Sequence, residues 1–227
     1  MALAVRCSSQ ALPTADEIVA RMMEHDSQRK TVLYRYSGLR RYVLENHRYK
    51  KHAEMLVRMD ALEDGSKEFD TLSASGWAGA RRHVFPRLLE GEKRASLSEN
   101  REQSRITPDN YSFELLGREI FSERAAYVLA ITPKTDNKYL VRGKVWIDAD
   151  EYVIVRIEGE PARNPSFWVK KVHFVHVYEK SGSLWLLASD HSVTDARIFG
   201  PTEVTIDYFS YVPKSTILTR SQYGAGN

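Results

Sequence analysis

The chain has 227 residues, 42% hydrophobic and 11% aromatic, enough to bury a sizeable core within one mainly β domain. Its 33 Lys/Arg against 30 Asp/Glu leave a net charge of +3, which marks out no nucleic-acid partner. The single cysteine, Cys7, excludes an internal disulfide framework and a cysteine-built zinc cage, and no run of 18 apolar residues occurs.

Residues 1–13 leave two readings open. Ser9 and Ala11 fit the small-x-small pattern of a signal-peptidase site, but the apolar stretch before them is too short, and Arg6 makes Cys7 a poor lipidation site. A truncated signal peptide is one expectation, with the mature chain in the periplasm or cell envelope. A disordered cytoplasmic tail is the other.

Thr14 to His25 reads as an amphipathic helix. "TADE" is a capping box in which Thr14 and Glu17 exchange hydrogen bonds, and Ile18, Val19, Met22 and Met23 share a face. After Lys30 the pattern becomes β. "TVLYRYSGLRRYVLE" carries a bend or bulge at Gly38, and "HAEMLVRMDALEDG" and "SKEFDTLSAS" join at an Asp64-Gly65 turn. The densest basic stretch, Arg21 to Arg58, overlaps this alternation and reads as a solvated sheet face.

Alternation stops over about 77–105. This insert favours helix, has Val84, Phe85, Leu88 and Leu89 as its apolar cluster, and is broken into short pieces by Pro86 and Gly91. A lid over one sheet face and a plain crossover both fit it. From Tyr111 the β pattern returns as strands at roughly 111–119, 123–132, 139–148, 152–158, 168–179, 183–195 and 203–212, with short turns that make neighbours antiparallel. The expected architecture is mainly β (α+β): a single curved antiparallel meander or half-barrel of about 10–11 strands. One domain would span 14–213, followed by a tail over 214–227.

The candidate chemistry is sparse. Asp148, Asp150 and Glu151 crowd one turn, but a calcium loop begun at Asp148 fails at Tyr152, Val153 and Gly159. Alternating Val145 and Ile147 before the turn, and Val153, Val155 and Ile157 after it, make the acids a hairpin tip instead. His173 and His176 are an odd number apart on a strand and so face opposite ways, and His47 and His52 flank a turn without a third ligand. G-x-S-x-G, H-E-x-x-H, P-loop and dinucleotide fingerprints do not occur. No enzyme, metal or cofactor is expected.

Apolar surface is the remaining signal. "VHFVHVY", "SLWLLAS" and "YVLAIT" are apolar on both strand faces, so both faces are at least partly covered, over a filled core or around a cavity.

The helix "ADEIVARMM", the strands "YRYSGLRRY" and "YVLAITPK", and the blocks "GKVWIDADEYVIVRIEG" and "SFWVKKVHFVHVYEKSGSLWL" together resemble one superfamily. It comprises the periplasmic lipoprotein carriers LolA and LolB and the RseB-type sensing domain, and the chain is most similar to bacterial "outer membrane lipoprotein-sorting protein" members. The likeness runs from about Thr14 to Val212, and "PK…GKVWID" followed by "RIEG" is its most specific part. It implies a half-barrel closed by helices, with a greasy cavity for a lipid or the acyl chains of a lipoprotein. Trp77, Phe85, Leu88 and Leu89 on the insert would line it, opposite Val145, Ile147, Val155, Ile157, Phe174 and Ile206 on the sheet. The carriers also place an arginine just before a proline on an early strand; "HAEMLVRMDALEDG" has Arg58 without that pair, so the role is not carried over. The expected partner is a lipid or acylated lipoprotein, with peripheral membrane contact at most, no nucleic acid and a monomeric chain. The alternative is an envelope protein-interaction or stress-sensor module, which would use exposed Tyr34, Tyr36 and Tyr42.

Overall fold

The computed structural model describes residues 12–29, 36–164, 169–182, 184–197 and 200–214. Cys7, Ser9, Ala11, Tyr34 and the tail beyond Lys214 lie outside them. Helix α1 (Ala15–Arg29) begins at the expected capping box: the Thr14 N–H donates to the Glu17 carboxylate at 2.8 Å, and the Glu17 N–H to the Thr14 hydroxyl at 3.3 Å. Ile18, Val19 and Met22 are buried, each contributing roughly 2 kcal/mol of apolar transfer.

Three strands follow as a meander: β1 (Tyr36–Asn46), β2 (Lys51–Ala61) and β3 (Lys67–Gly76). A second meander contains β4 (Tyr111–Phe121), β5 (Arg124–Pro133), β6 (Val141–Asp148), β7 (Ile154–Pro161), β8 (Val169–Ser181), β9 (Leu184–Ala196) and β10 (Gly200–Pro213). All ten pair antiparallel in one open sheet of order β3-β2-β1-β10-β9-β8-β7-β6-β5-β4. The two meanders are stitched by β1 against β10, in register from Leu39↔Phe209 to Asn46↔Thr202.

That order puts β3 and β4 at opposite edges, so the chain between them must cross the whole sheet. It does so as a π-helical turn (Ala80–Val84), helix α2 (Phe85–Ala95) and helix α3 (Ser98–Ser104). The crossover and the cover are therefore one segment. Pro86 occupies the first turn of α2, where its missing N–H costs nothing. Gly91, expected to break the helix, lies inside it with open space where a Cβ would stand. Its propensity cost of about 1 kcal/mol is outweighed by the packing of Phe85, Leu88 and Leu89 on the sheet.

The inner face of the sheet carries two separate apolar clusters. Under α1, Ile18, Val19 and Met22 meet Tyr127, Leu129, Ile131, Val145, Ile147, Ile157 and Phe174. Under α2, Phe85 and Ala80 meet Tyr42, Leu44, Met55, Val57, Val204 and Ile206. A third cluster, Ala126, Val128, Trp146, Val153 and Val155, occupies the outer face.

Irregularities at several points shape the sheet. Gly38 sits at a register shift between Ser37 and Leu39 against β10, as expected. Gly143 and Gly159 lie directly opposite one another, and a Cβ on either would come within 2.4 Å of a neighbouring carbonyl oxygen, so β6 and β7 approach as only glycine permits. Each edge strand carries a bulge: the pairing skips Leu72 on β3 and Leu116 on β4. Bulged edges oppose edge-to-edge association with other chains.

The acidic turn is a hairpin tip held by one arginine. Asp148 is 1% exposed; it accepts from Arg124 Nε at 2.5 Å and Nη2 at 2.9 Å, and from the N–H groups of Asp150 and Glu151. Burial alone would raise the Asp148 carboxyl; the guanidinium and backbone donors outweigh it and hold it below the usual range. Arg124→Met removes the main partner of a buried carboxylate and is expected to cost about 2 kcal/mol, read as a shift in the urea midpoint. Among the described residues no group of three His, Cys, Asp or Glu could hold a metal ion, and no helix is long and apolar enough to cross a membrane.

Candidate functional site

Between the two covers the inner face is not filled. A cavity of about 750 Å³ lies where α1, α3, the β2–β3 turn and strands β7–β9 converge. Met22, Met23, Ile106, Ile154 and Ile157 form its apolar part, and Tyr152, Tyr178 and Trp185 add aromatic wall. The charged lining residues, Asp26, Glu63, Asp64, Arg101, Glu102 and Arg105, are the more exposed ones and form the mouth.

The mouth is tied together by arginines of α3 and its C-terminal cap. Arg105 bonds Asp26 of α1 at 3.2 Å and Glu102 at 3.2 Å, and Arg101 donates to the Asp64 carbonyl at 2.7 Å. Gly65 makes the last contact possible: its φ is +77° and a Cβ there would lie 1.6 Å from the Arg101 guanidinium.

The ten apolar residues expected around a ligand divide among three places. Ile157 lines the cavity, and Val145, Ile147 and Phe174 stand in the same cluster beneath α1. Trp77, Phe85, Leu88, Leu89 and Ile206 come together under α2, in the other inner cluster. The insert helix thus sits over β1, β2 and β10 rather than opposite β6 and β7. Val155 belongs to the outer cluster. A register shift explains it: Trp146 pairs with Arg156 and Ile147 with Ile154, leaving Val155 as the extra residue of a bulge that turns it toward Trp146.

Arg40 was not singled out by the sequence pattern and is the principal buried charge of the inner face. It is 3% exposed, forms an ion pair with Glu92 of α2, and stacks over Tyr208 at 4.8 Å and Phe69 at 5.2 Å. Tyr42, one of the three tyrosines expected at an exposed surface, is fully buried and donates to Glu92 at 2.8 Å. Tyr36 is half-buried against Tyr211. Arg58, by contrast, is half-exposed on β2 and pairs with Asp70. The clue to Arg40 was parity alone: it shares a strand face with Tyr42 and Leu44.

Burial acts to raise the Glu92 carboxyl, but Arg40, Lys67 and the Tyr42 hydroxyl together bring it below the ordinary value. A carboxylate depressed in the folded state adds stability above its unfolded pKa and loses it as pH falls through the lower folded value. With Glu92 and Asp148 both in this class, denaturation midpoints should hold above pH about 5 and fall below about 4. Glu92→Gln should flatten that acid limb.

Residues 81–163 match the MucB/RseB N-terminal domain family, less than half of the chain. No curated protein matches. Among solved structures, a domain described as an outer membrane lipoprotein-sorting protein from Vibrio parahaemolyticus is similar at 15% identity and TM-score 0.49, covering 86% of this chain and 93% of that one. A LolA superfamily protein from Nitrosomonas europaea follows at 10% identity and TM-score 0.40, covering 90% and 95%. The MucA/MucB complex of Pseudomonas aeruginosa aligns at 13% identity and TM-score 0.28, covering 88% and 99%. These scores lie below 0.5, and no residue role is carried over from those proteins. The domain match begins within the insert and ends just after β7, on a sheet open at both edges and covered on one face by α1 and the insert; over these residues the chain is similar to the MucB/RseB N-terminal domain.

Proposed function

We propose that this chain is a non-enzymatic protein of the bacterial periplasm or cell envelope that holds the acyl chain of a lipid or lipoprotein between its sheet and its helical covers. The observation that carries the reading is the cavity of about 750 Å³ with a partly buried apolar lining and a charged mouth. Each acyl methylene placed there would gain roughly 0.8 kcal/mol over water, so a chain of modest length is retained without covalent chemistry. Ile157, Val145, Ile147 and Phe174 would back the bound chain. Trp77, Phe85, Leu88, Leu89 and Ile206 would meet it only if α2 lifted from the sheet.

Trp185 lines the cavity and offers a direct test. A brominated acyl chain should quench its fluorescence with saturation, and Trp185→Phe should remove most of the quenching. Quenching that is linear in quencher, or unchanged in the variant, contradicts the proposal.

A second reading is an envelope-stress or interaction module, favoured by the match to the MucB/RseB domain. The aromatic surface expected for it is weakened by the burial of Tyr42. The two readings separate by which mutations matter: cavity substitutions for lipid, surface substitutions for a protein partner.

A further inference from the structure

The outer side of the insert is strongly basic. On α2, Phe85, Leu88, Leu89 and Glu92 turn to the sheet, so the helical period puts Arg87, Glu90, Gly91 and Arg94 on the opposite side, with Lys93 beside them. The π-helical turn before it adds exposed Arg81 and Arg82. Five cations thus face outward over residues 81–95 against one acid, Glu90, and that surplus exceeds the +3 of the whole chain. Arg94 pairs with Glu90 at 3.5 Å, and Arg81 donates to the Gly76 carbonyl at 3.1 Å. Arg82, Arg87 and Lys93 bond no acceptor among the described residues, and the residues outside that set contain no Asp or Glu.

The basic face continues into the β1–β2 turn. The Trp77 N–H donates to the His52 carbonyl at 2.7 Å and its ring lies 6.4 Å from that of Tyr49, which places the turn's exposed Lys50 and Lys51 at the start of the insert. The carboxylates of these strands have partners of their own: Glu45 bonds His52, Glu54 bonds Arg41 and Glu203 bonds His47. Large apolar groups are exposed at both ends of the face, Tyr49 at 45% and Leu97, just beyond α2, at 47%. Cations along a helix, with an aromatic ring and a leucine at its ends, match an anionic headgroup layer, which takes the charges at its phosphates and the apolar groups beneath them. An acidic protein would use the cations and leave Tyr49 and Leu97 without a role.

We propose that the outer face of the insert, from Arg81 to Leu97 with the β1–β2 turn, docks the protein on an anionic phospholipid surface. No residue of this face lines the cavity, so the proposal stands or falls independently of the chain-binding reading.

The test is flotation of the intact protein with phosphatidylcholine vesicles, with and without about 30% phosphatidylglycerol. At low salt the anionic vesicles should bind about tenfold tighter than the neutral ones, and about 0.5 M salt should remove most of the difference. Each cation near such a surface contributes about fivefold, so R82Q/R87Q should weaken binding by about 25-fold and K93Q alone by about fivefold. R142Q/K144Q removes the same charge from exposed, unpaired positions that share the outer sheet face with Trp146, and should stay within about threefold of wild type. Equal losses in the two double variants, or binding that ignores lipid charge, overturn the proposal, as does retention on polyglutamate without binding to the vesicles. Loss of vesicle binding in M23W, which fills only the cavity, would assign that binding to the cavity and overturn it also.

Discussion

Glu92→Ala is expected to destabilise the protein by about 3 kcal/mol, because it strands the Arg40 guanidinium beneath α2 without its carboxylate. Arg40 is 3% exposed and its Nε lacks a partner, so without Glu92 its charge is left facing only neutral groups such as the Tyr42 hydroxyl. Replacing both members, as Arg40→Met with Glu92→Leu, removes the charges together and should restore most of the loss, since a buried ion pair seldom outperforms apolar groups of similar volume. Urea denaturation of the two single variants and the double variant gives the coupling directly. If Glu92→Ala costs under 1 kcal/mol, the pair is not what clamps α2. Hydrogen exchange should localise the effect to residues 85–95, because α2 leans on the sheet through this pair, Tyr42 and the Phe85 cluster.

Met23→Trp should act on the ligand and leave the fold nearly unchanged. Met23 is half-buried on α1, where it packs at the edge of the first inner cluster and lines the cavity. The indole would occupy the space of about three methylenes. At roughly 0.8 kcal/mol each, that lowers acyl-chain affinity by about 50-fold. Stability should move by less than about 1 kcal/mol, because the added bulk enters open space rather than packed core. Wild-type affinity in this variant would place the ligand elsewhere on the protein.

Local chemistry was legible in the sequence wherever it acts over a few residues. The Thr14–Glu17 capping box, the Gly38 bulge, the Asp148 hairpin tip and the period-2 strands all follow from neighbours in the chain. The pairing of β1 with β10 did not, because two residues more than 150 positions apart carry no local mark of each other. That one pairing fixes where the insert must run. Without it, the apolar residues of the insert and those of β6–β8 looked like two sides of one cavity, whereas they form separate clusters under separate helices.

Val155 was lost for a subtler reason. Alternation is a reliable guide until an extra residue enters, and the bulge opposite Trp146 and Ile147 leaves no glycine to announce itself. Arg40 stood in a run of three basic and aromatic residues whose average character is that of a solvated face. Its parity with Tyr42 and Leu44 was the stronger signal, since a strand face that buries those two must bury the arginine between sheet and helix as well. The cavity is still less readable. It is the gap between two covers, set by how closely α1 and α3 approach, and its lining draws on segments from Met22 to Trp185.

The central claim, that the space between sheet and helices exists to hold an acyl chain, is tested most directly by native mass spectrometry of the protein purified from an envelope fraction without detergent. The account predicts a species heavier than the polypeptide by the mass of one lipid, which dissociates on collisional activation and is depleted in Met23→Trp. A single species at the polypeptide mass, unchanged after incubation with envelope lipids, would contradict it.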